Sequence, residues 1–204
     1  MSELAGPPRI RPGDRRSTGL AARTVARVVG LATGTNPPNL FTTLARHRRL
    51  FRPWLRFASR LMPGGALPRA DSELVILRVA ALTACDYERR HHERLAVAAG
   101  LTTDEIARTA AGPDSPGWSP RQAAILAAVD ELHAGQQLAD ETWLQLESHL
   151  TEVELIELPM LVGHYVMLAM VLNGLRVTPD SPQPPATGPI DRLVAWAAAR
   201  RIRS

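Results

Sequence analysis

Apolar residues along this chain recur at intervals of three and four, the repeat of helices that bury one face, and not in the alternation of strands. Thr18 to Leu31 shows that spacing, and Gly34-Thr35-Asn36-Pro37-Pro38 breaks it. Asn39 to Met62 reads as a helix with Leu40, Leu44, Phe51, Leu55, Phe57 and Leu61 as core positions. Pro53 is expected to kink or split it, and Pro63-Gly64-Gly65 to end it. Ala70 to Ala84 reads as the next helix, capped by Asp71 or Ser72, with Leu74, Leu77, Val79 and Ala81 as apolar surface. Cys85 to Ala99 follows with little break, and Gly100 stops it.

Thr102-Thr103-Asp104-Glu105 is a capping box for a short helix ending near Ala111. Ser119-Pro120-Arg121-Gln122 opens another, which reaches about His133. Asp140 is expected to cap a helix to Leu150, and Thr151-Glu152-Val153-Glu154 to open a long apolar one to Leu175, ended by Gly174. No alternating stretch is long enough for a strand, so the fold is expected to be all-α, a helical bundle. Residues 1–18, rich in Pro, Gly and Arg, read as a flexible arm, and 19–177 as one helical domain. Residues 178–204 read as a Pro-rich linker followed by an amphipathic helix, Ile190 to Arg201.

Composition narrows the partners. Apolar residues are 45% of 204 and aromatics only 4%, so Leu, Ala and Val must fill the core. The net charge is +4 and every cation is an arginine, a bias shared with alanine that speaks of coding preference more than of nucleic-acid binding. The excess sits at the ends, in Arg9, Arg11, Arg15, Arg16, Arg200, Arg201 and Arg203, and reads as solvated tails. Trp54, Trp118, Trp143 and Trp196 are scattered, which suits packing and not base stacking. The lone Cys85 excludes an intrachain disulfide and fits a reducing, cytoplasmic setting. Met1 to Pro12 lacks the apolar run of a signal peptide. Leu155 to Val171 is interrupted by Glu157, Pro159 and His164, so it reads as a buried helix and no membrane partner is expected.

The chemistry concentrates in Cys85-Asp86-Tyr87-Glu88-Arg89-Arg90-His91-His92. On one helix Cys85, Glu88 and His92 share a face, because positions three and four apart are neighbours. A thiol, a carboxyl and an imidazole on one stripe can pass protons or activate a nucleophile. A helix start and a protonated His92 would lower the thiol pKa, with Glu88 opposing. Glu73 lies twelve residues before the cysteine, able to accept a proton or orient His92. Each of these also has a bland reading: Cys85 as a small buried hydrophobe, Glu88 and His92 as a surface pair, Glu73 as a first-turn carboxylate. Tyr87 and His164 are candidate substrate contacts, against a bland reading, the commoner one for such residues, as packing groups. Two histidines spaced for zinc on one helix are missing, so neither a metal nor another cofactor is expected.

Ser72-Glu73-Leu74-Val75-Ile76-Leu77-Arg78-Val79-Ala80, running into Cys85 to His92 and then Leu95-Ala96 and Ala99-Gly100-Leu101-Thr102, resembles the carboxymuconolactone decarboxylase family, which includes the alkylhydroperoxidase D branch. Gly163-His164-Tyr165-Val166-Met167-Leu168 resembles its later helix. The resemblance implies the all-α alkylhydroperoxidase D-like fold, a homo-oligomer and a small-molecule substrate. The alkylhydroperoxidase branch carries a glutamate, a Cys-x-x-Cys pair and a histidine. Glu73, Cys85 and His92 fall at the matching places, and Glu88 stands for the second cysteine. The decarboxylase branch uses acid–base side chains without metal or organic cofactor. Three functions follow: a cofactor-free proton-transfer or decarboxylation enzyme on a small carbonyl or carboxylate compound, with Glu73 and His92 as acid and base; a single-cysteine thiol peroxidase (peroxiredoxin activity) needing an external thiol; or a non-catalytic oligomeric ligand-binding module.

Overall fold

The structure is a computed structural model and describes residues 6–33 and 38–181. The described residues form ten α-helices and no strand. They are α1 (Arg15–Thr18), α2 (Leu20–Thr33), α3 (Asn39–Leu44), α4 (Arg48–Leu61), α5 (Arg69–Leu82), α6 (Asp86–Ala98), α7 (Thr103–Arg108), α8 (Pro120–Gly135), α9 (Asp140–Glu147) and α10 (Glu152–Leu175). The expected all-α architecture is the observed one. The tail helix Ile190 to Arg201 and most of the expected linker lie outside the described residues, as do the first five residues of the expected arm. The helices group into two compact units, one holding the chain to Ala58 and from Val171 on, the other Ser59–Met170.

In the first unit, Asp14 caps α1 by accepting from the N–H groups of Ser17 at 2.9 Å and Arg16 at 3.1 Å. Gly13 donates to the Thr42 carbonyl at 3.1 Å, and a Cβ there would stand 2.7 Å from that oxygen, so the approach needs glycine. Arg9 binds the carbonyls of Leu175 and Gly174. Phe41, Phe51 and Trp54 cluster with ring centroids 5.8–6.5 Å apart.

The expected helix Asn39 to Met62 is two helices, and the break falls at Ala45–His47 instead of Pro53. Two turns of three-residue span, Arg46 to Thr43 and His47 to Leu44, tighten the end of α3. His47 then starts α4, its Nδ1 accepting from the Leu50 N–H at 3.2 Å. Pro53 lies inside α4, where it costs one backbone hydrogen bond and the helix continues through it. Of the core positions expected here, Leu40, Phe51 and Leu61 are buried, Leu44 and Leu55 are partly buried, and Phe57 is exposed.

In the second unit α5 is the central element. Ten consecutive residues, Asp71 to Ala80, are buried, so it is enclosed on every side. It packs on α6 and α8, α8 on α9, and α6 on α7. Leu74, Leu77, Ala96, Leu101 and Leu126 form a core bordered by Ile106 and Trp118. Asp71 and Ser72 do not cap α5, which starts after Pro68 with no side-chain cap bond. Asp71 instead accepts from Arg121 at 2.8 Å, and Arg121 also reaches Glu154 at 2.7 Å and the His149 carbonyl. Buried Arg78 is fully used: two bonds to Asp130 at 2.6 and 2.7 Å, and two to the carbonyls of Thr109 and Ala110.

The capping boxes at Thr102, Ser119 and Thr151 are present. Asp140 is not the cap of α9. That role belongs to Glu131 on α8, which accepts from the Ala139 N–H at 2.8 Å and the Thr142 hydroxyl at 2.6 Å. Gly174 lies inside α10 and does not end it.

Candidate functional site

The α5–α6 turn sets the site. Cys85 donates its N–H to the Ala80 carbonyl and Ala84 to that of Ala81, while Ala84 takes a left-handed φ of 49°. This is a Schellman reversal with alanine where glycine is usual. It folds α6 back on α5 and leaves Cys85 at the N-cap of α6.

The reversal brings together side chains far apart in sequence. The Glu73 carboxylate on α5 is fully buried, and its Oε2 lies 2.7 Å from His92 Nδ1 on α6. His92 Nε2 lies 3.2 Å from Glu88 Oε2, one helical turn earlier. Arg69, four residues before Glu73, brings Nη2 to 2.7 Å from Glu73 Oε1. Glu88 and His92 are themselves buried. The order along the cluster is therefore Arg69, Glu73, His92, Glu88, with charges alternating in sign. Buried charges persist only when paired in this way. Arg69 is a residue the sequence reading did not single out; its spacing to Glu73 was the available signal.

Burial opposes charge on His92, but Glu73 and then Glu88 outweigh it and raise the imidazole pKa to about 9. At neutral pH His92 is therefore an imidazolium that donates from both nitrogens. Neither nitrogen has a lone pair to offer a metal, and the described residues hold no group of three His, Cys, Asp or Glu fit for one. Glu73 uses both oxygens inside the cluster. Glu88 does not: its Oε1 is buried and accepts no hydrogen bond among the described residues.

α10 closes the cluster from another side. The Tyr165 ring stands edge-on to His92 with centroids 5.2 Å apart. Burial, with Glu88 and Glu73 adding to it, holds the Tyr165 phenol neutral well above its ordinary range. His164 borders Tyr165 at 5.3 Å, and burial lowers its pKa, so it is a neutral imidazole. Tyr87 stacks on His91 with centroids 6.4 Å apart.

Cys85 departs from expectation. The sequence suggested a thiol acidified by the helix start and by His92. Burial instead pushes it up to about 12; the N–H groups of Glu88 and Tyr87 favour the thiolate without offsetting this, and the Glu88 charge raises it further. Cys85 as a whole is 1% exposed.

Residues 48–131 match the model of the carboxymuconolactone decarboxylase family. No curated protein matches the sequence. Among solved structures, one similar to this chain is the alkylhydroperoxidase AhpD core of an uncharacterized peroxidase-related protein from Ralstonia eutropha, at a TM-score of 0.75 and 18% identity over 86% of this chain and 94% of that one. A peroxidase-related protein from Silicibacter sp. superposes at 0.72, with 13% identity over 88% of this chain and 90% of that one. The debrominase Bmp8, as a cysteine-to-alanine variant in complex with 2,3,4-tribromopyrrole, superposes at 0.69, with 13% identity over 95% of this chain and 97% of that one. At such identities these neighbours establish the fold. The stretch that carries Glu73, Cys85, Glu88 and His92 thus lies within the residues that match the carboxymuconolactone decarboxylase family model, on an all-α fold shared with AhpD-like proteins.

Proposed function

We propose that this protein is a cofactor-free enzyme that moves a proton on a small carbonyl or carboxylate compound, with Glu88 as the base. One observation carries the reading: a buried imidazolium clamped between two carboxylates, of which Glu73 has an Arg69 ion pair at its second oxygen while Glu88 Oε1 has neither a hydrogen bond nor an ion pair among the described residues. Both oxygens of Glu73 are committed, to Arg69 and His92, so Glu73 orients His92 and balances its charge. Glu88 Oε1 takes a proton from carbon next to a carbonyl; the C–H pair becomes the enolate double bond and the carbonyl π pair moves onto oxygen. The Glu88 carboxylic acid then returns that proton to carbon, while His92 stays an imidazolium held between Glu73 and Glu88 Oε2. In the decarboxylation variant the C–C pair forms the enolate, carbon dioxide leaves, and carbon takes a proton that passes from the His92 imidazolium through Glu88, leaving His92 neutral until solvent restores its proton. Tyr165, kept neutral, is an O–H donor for the developing oxyanion.

The family match supports acid–base chemistry, since the decarboxylase branch needs neither metal nor thiol. The thiol-peroxidase reading has the AhpD-like and debrominase folds on its side. Against it, a thiol with a pKa of about 12 is thiolate in only about one molecule in 10⁵ at pH 7.

The test is a panel of small β-oxo acids and lactone carboxylates incubated in D₂O and followed by proton NMR. Turnover or exchange in the wild type should drop about 10²–10⁴-fold in Glu88→Gln and persist in Cys85→Ala. Loss in Cys85→Ala with Glu88→Gln still active contradicts the assignment.

A further inference from the structure

We infer that the outer face of α4 docks the protein on an anionic lipid surface, its arginines at the lipid phosphates and Leu50, Pro53 and Phe57 among the first acyl carbons. The charges of the chain are sorted by unit. In the first unit the described residues hold twelve arginines against two carboxylates, Asp14 and Asp180. Both carboxylates are occupied by backbone N–H groups, Asp14 by those of Ser17 and Arg16 and Asp180 by that of Asn39 at 2.7 Å. The second unit, Ser59–Met170, has the opposite balance, eight arginines against sixteen carboxylates. A coding preference exchanges lysine for arginine along the whole chain. It does not strip carboxylates from one unit and gather them in the other. A basic unit of this kind attracts an extended anionic partner.

α4 sets that charge beside apolar side chains. Arg49, Arg52 and Arg56, at intervals of three and four, form one exposed row, and Leu50, Pro53 and Phe57, at the same intervals, form an exposed row next to it. Leu50 is 59% and Phe57 40% exposed. Arg49 and Arg52 form no ion pair among the described residues. Arg48, at the helix start, donates to the Arg16 carbonyl at 3.0 Å and so joins the exposed Arg16 of α1 to the patch. The inner side of the helix is already used, with Phe51 buried against Phe41. A lipid surface engages both rows: guanidinium groups pair with phosphates while the apolar side chains beside them sink below the headgroups. Nucleic acid engages only one. α4 has no Asn or Gln to read base edges, and Leu50 and Pro53 would lie against a charged backbone with nothing to gain. Docking of this kind needs no helix that crosses the bilayer. The helix long and apolar enough to do so among those described, α10, carries the buried Glu154 and His164.

The test is sedimentation of the full chain with vesicles of phosphatidylcholine carrying about one third phosphatidylglycerol, and with vesicles of phosphatidylcholine alone. The protein should pellet with the anionic vesicles at about 0.1 M salt, be released at about 0.5 M, and stay in solution with the neutral ones. Arg49→Glu with Arg52→Glu should weaken binding by about 10²-fold or more, and Leu50→Ser by about tenfold, with unchanged far-ultraviolet circular dichroism. If the charge-reversed variant fails to fold, Arg49→Gln with Arg52→Gln decides, with an expected loss of at least tenfold. No binding to the anionic vesicles overturns the inference. So does binding to neutral vesicles that salt leaves unchanged, which points to the apolar side chains of α10. Anionic binding that Leu50→Ser does not weaken, and from which a random DNA duplex displaces the protein, overturns it in favour of nucleic acid.

Discussion

His92 carries the chemistry at the scale of the residue. Its pKa is about 9 in the folded chain against an ordinary 6.5, so folding favours the protonated form. The stabilisation is complete below pH 6.5 and disappears as pH rises through 9. Urea unfolding should show stability falling by on the order of 3 kcal/mol between those limits. A flat profile over that window contradicts the pairing. Above pH 9 the loss should continue, because Cys85 and Tyr165 are also held neutral by burial while their unfolded counterparts ionise. The Glu88–His92 contact was legible from the sequence, being one helical turn. The Glu73–His92 contact was not derivable from spacing alone, since it spans two helices; it was expected only from the resemblance. The direction of the Cys85 shift was not legible either, because a helix start acidifies a thiol only if water reaches it, and that depends on how the neighbours pack.

At the scale of the element, the α5–α6 reversal turns sequence proximity into a site. Ala84 holds a left-handed backbone that costs a residue with a Cβ roughly 1–2 kcal/mol. The residue is exposed, so its methyl group contributes little packing. Ala84→Gly should therefore raise stability by about 0.5–1 kcal/mol in denaturant unfolding, the relief being partly offset by glycine's larger unfolded-state entropy. A destabilised variant would show that the methyl group packs after all. Helix starts are legible in the sequence where both halves of the cap lie within one turn, as at Thr102, Ser119 and Thr151. They are not where the cap comes from another helix, as with Glu131 of α8 at the start of α9. The expected break at Pro53 is not observed: Pro53 lies inside α4, where it forgoes one backbone hydrogen bond without ending the helix, and the chain breaks at Ala45–His47 instead.

The whole molecule sorts its charges and apolar faces into distinct tasks. From Arg15 to Ala70 the chain has no acidic residue, and Arg46, Arg49, Arg52 and Arg56 line the exposed side of α4 and its approach. The cations at the two ends of the chain are thus only part of the distribution. Within the second unit, Arg78 and Arg121 each bind several partners and tie α5 to α8 and α10. The scaffold so fixed lets α10 press Tyr165 against His92 on one face and leaves Met160 and Met167 exposed on the other. The all-α class was legible because helical periodicity persists throughout. Which apolar faces stay uncovered was not, because burial is a property of the assembled helices.

The pairing of His92 with Glu73 and Glu88 is tested most directly by ¹⁵N NMR titration of the histidine side chains, with the His92 resonances assigned by their loss in His92→Gln. The account expects both ring nitrogens of His92 to remain protonated through neutral pH and to titrate with a midpoint near 9. A midpoint at or below the ordinary histidine value of about 6.5 would mean a neutral imidazole at the centre of the site and would contradict the account.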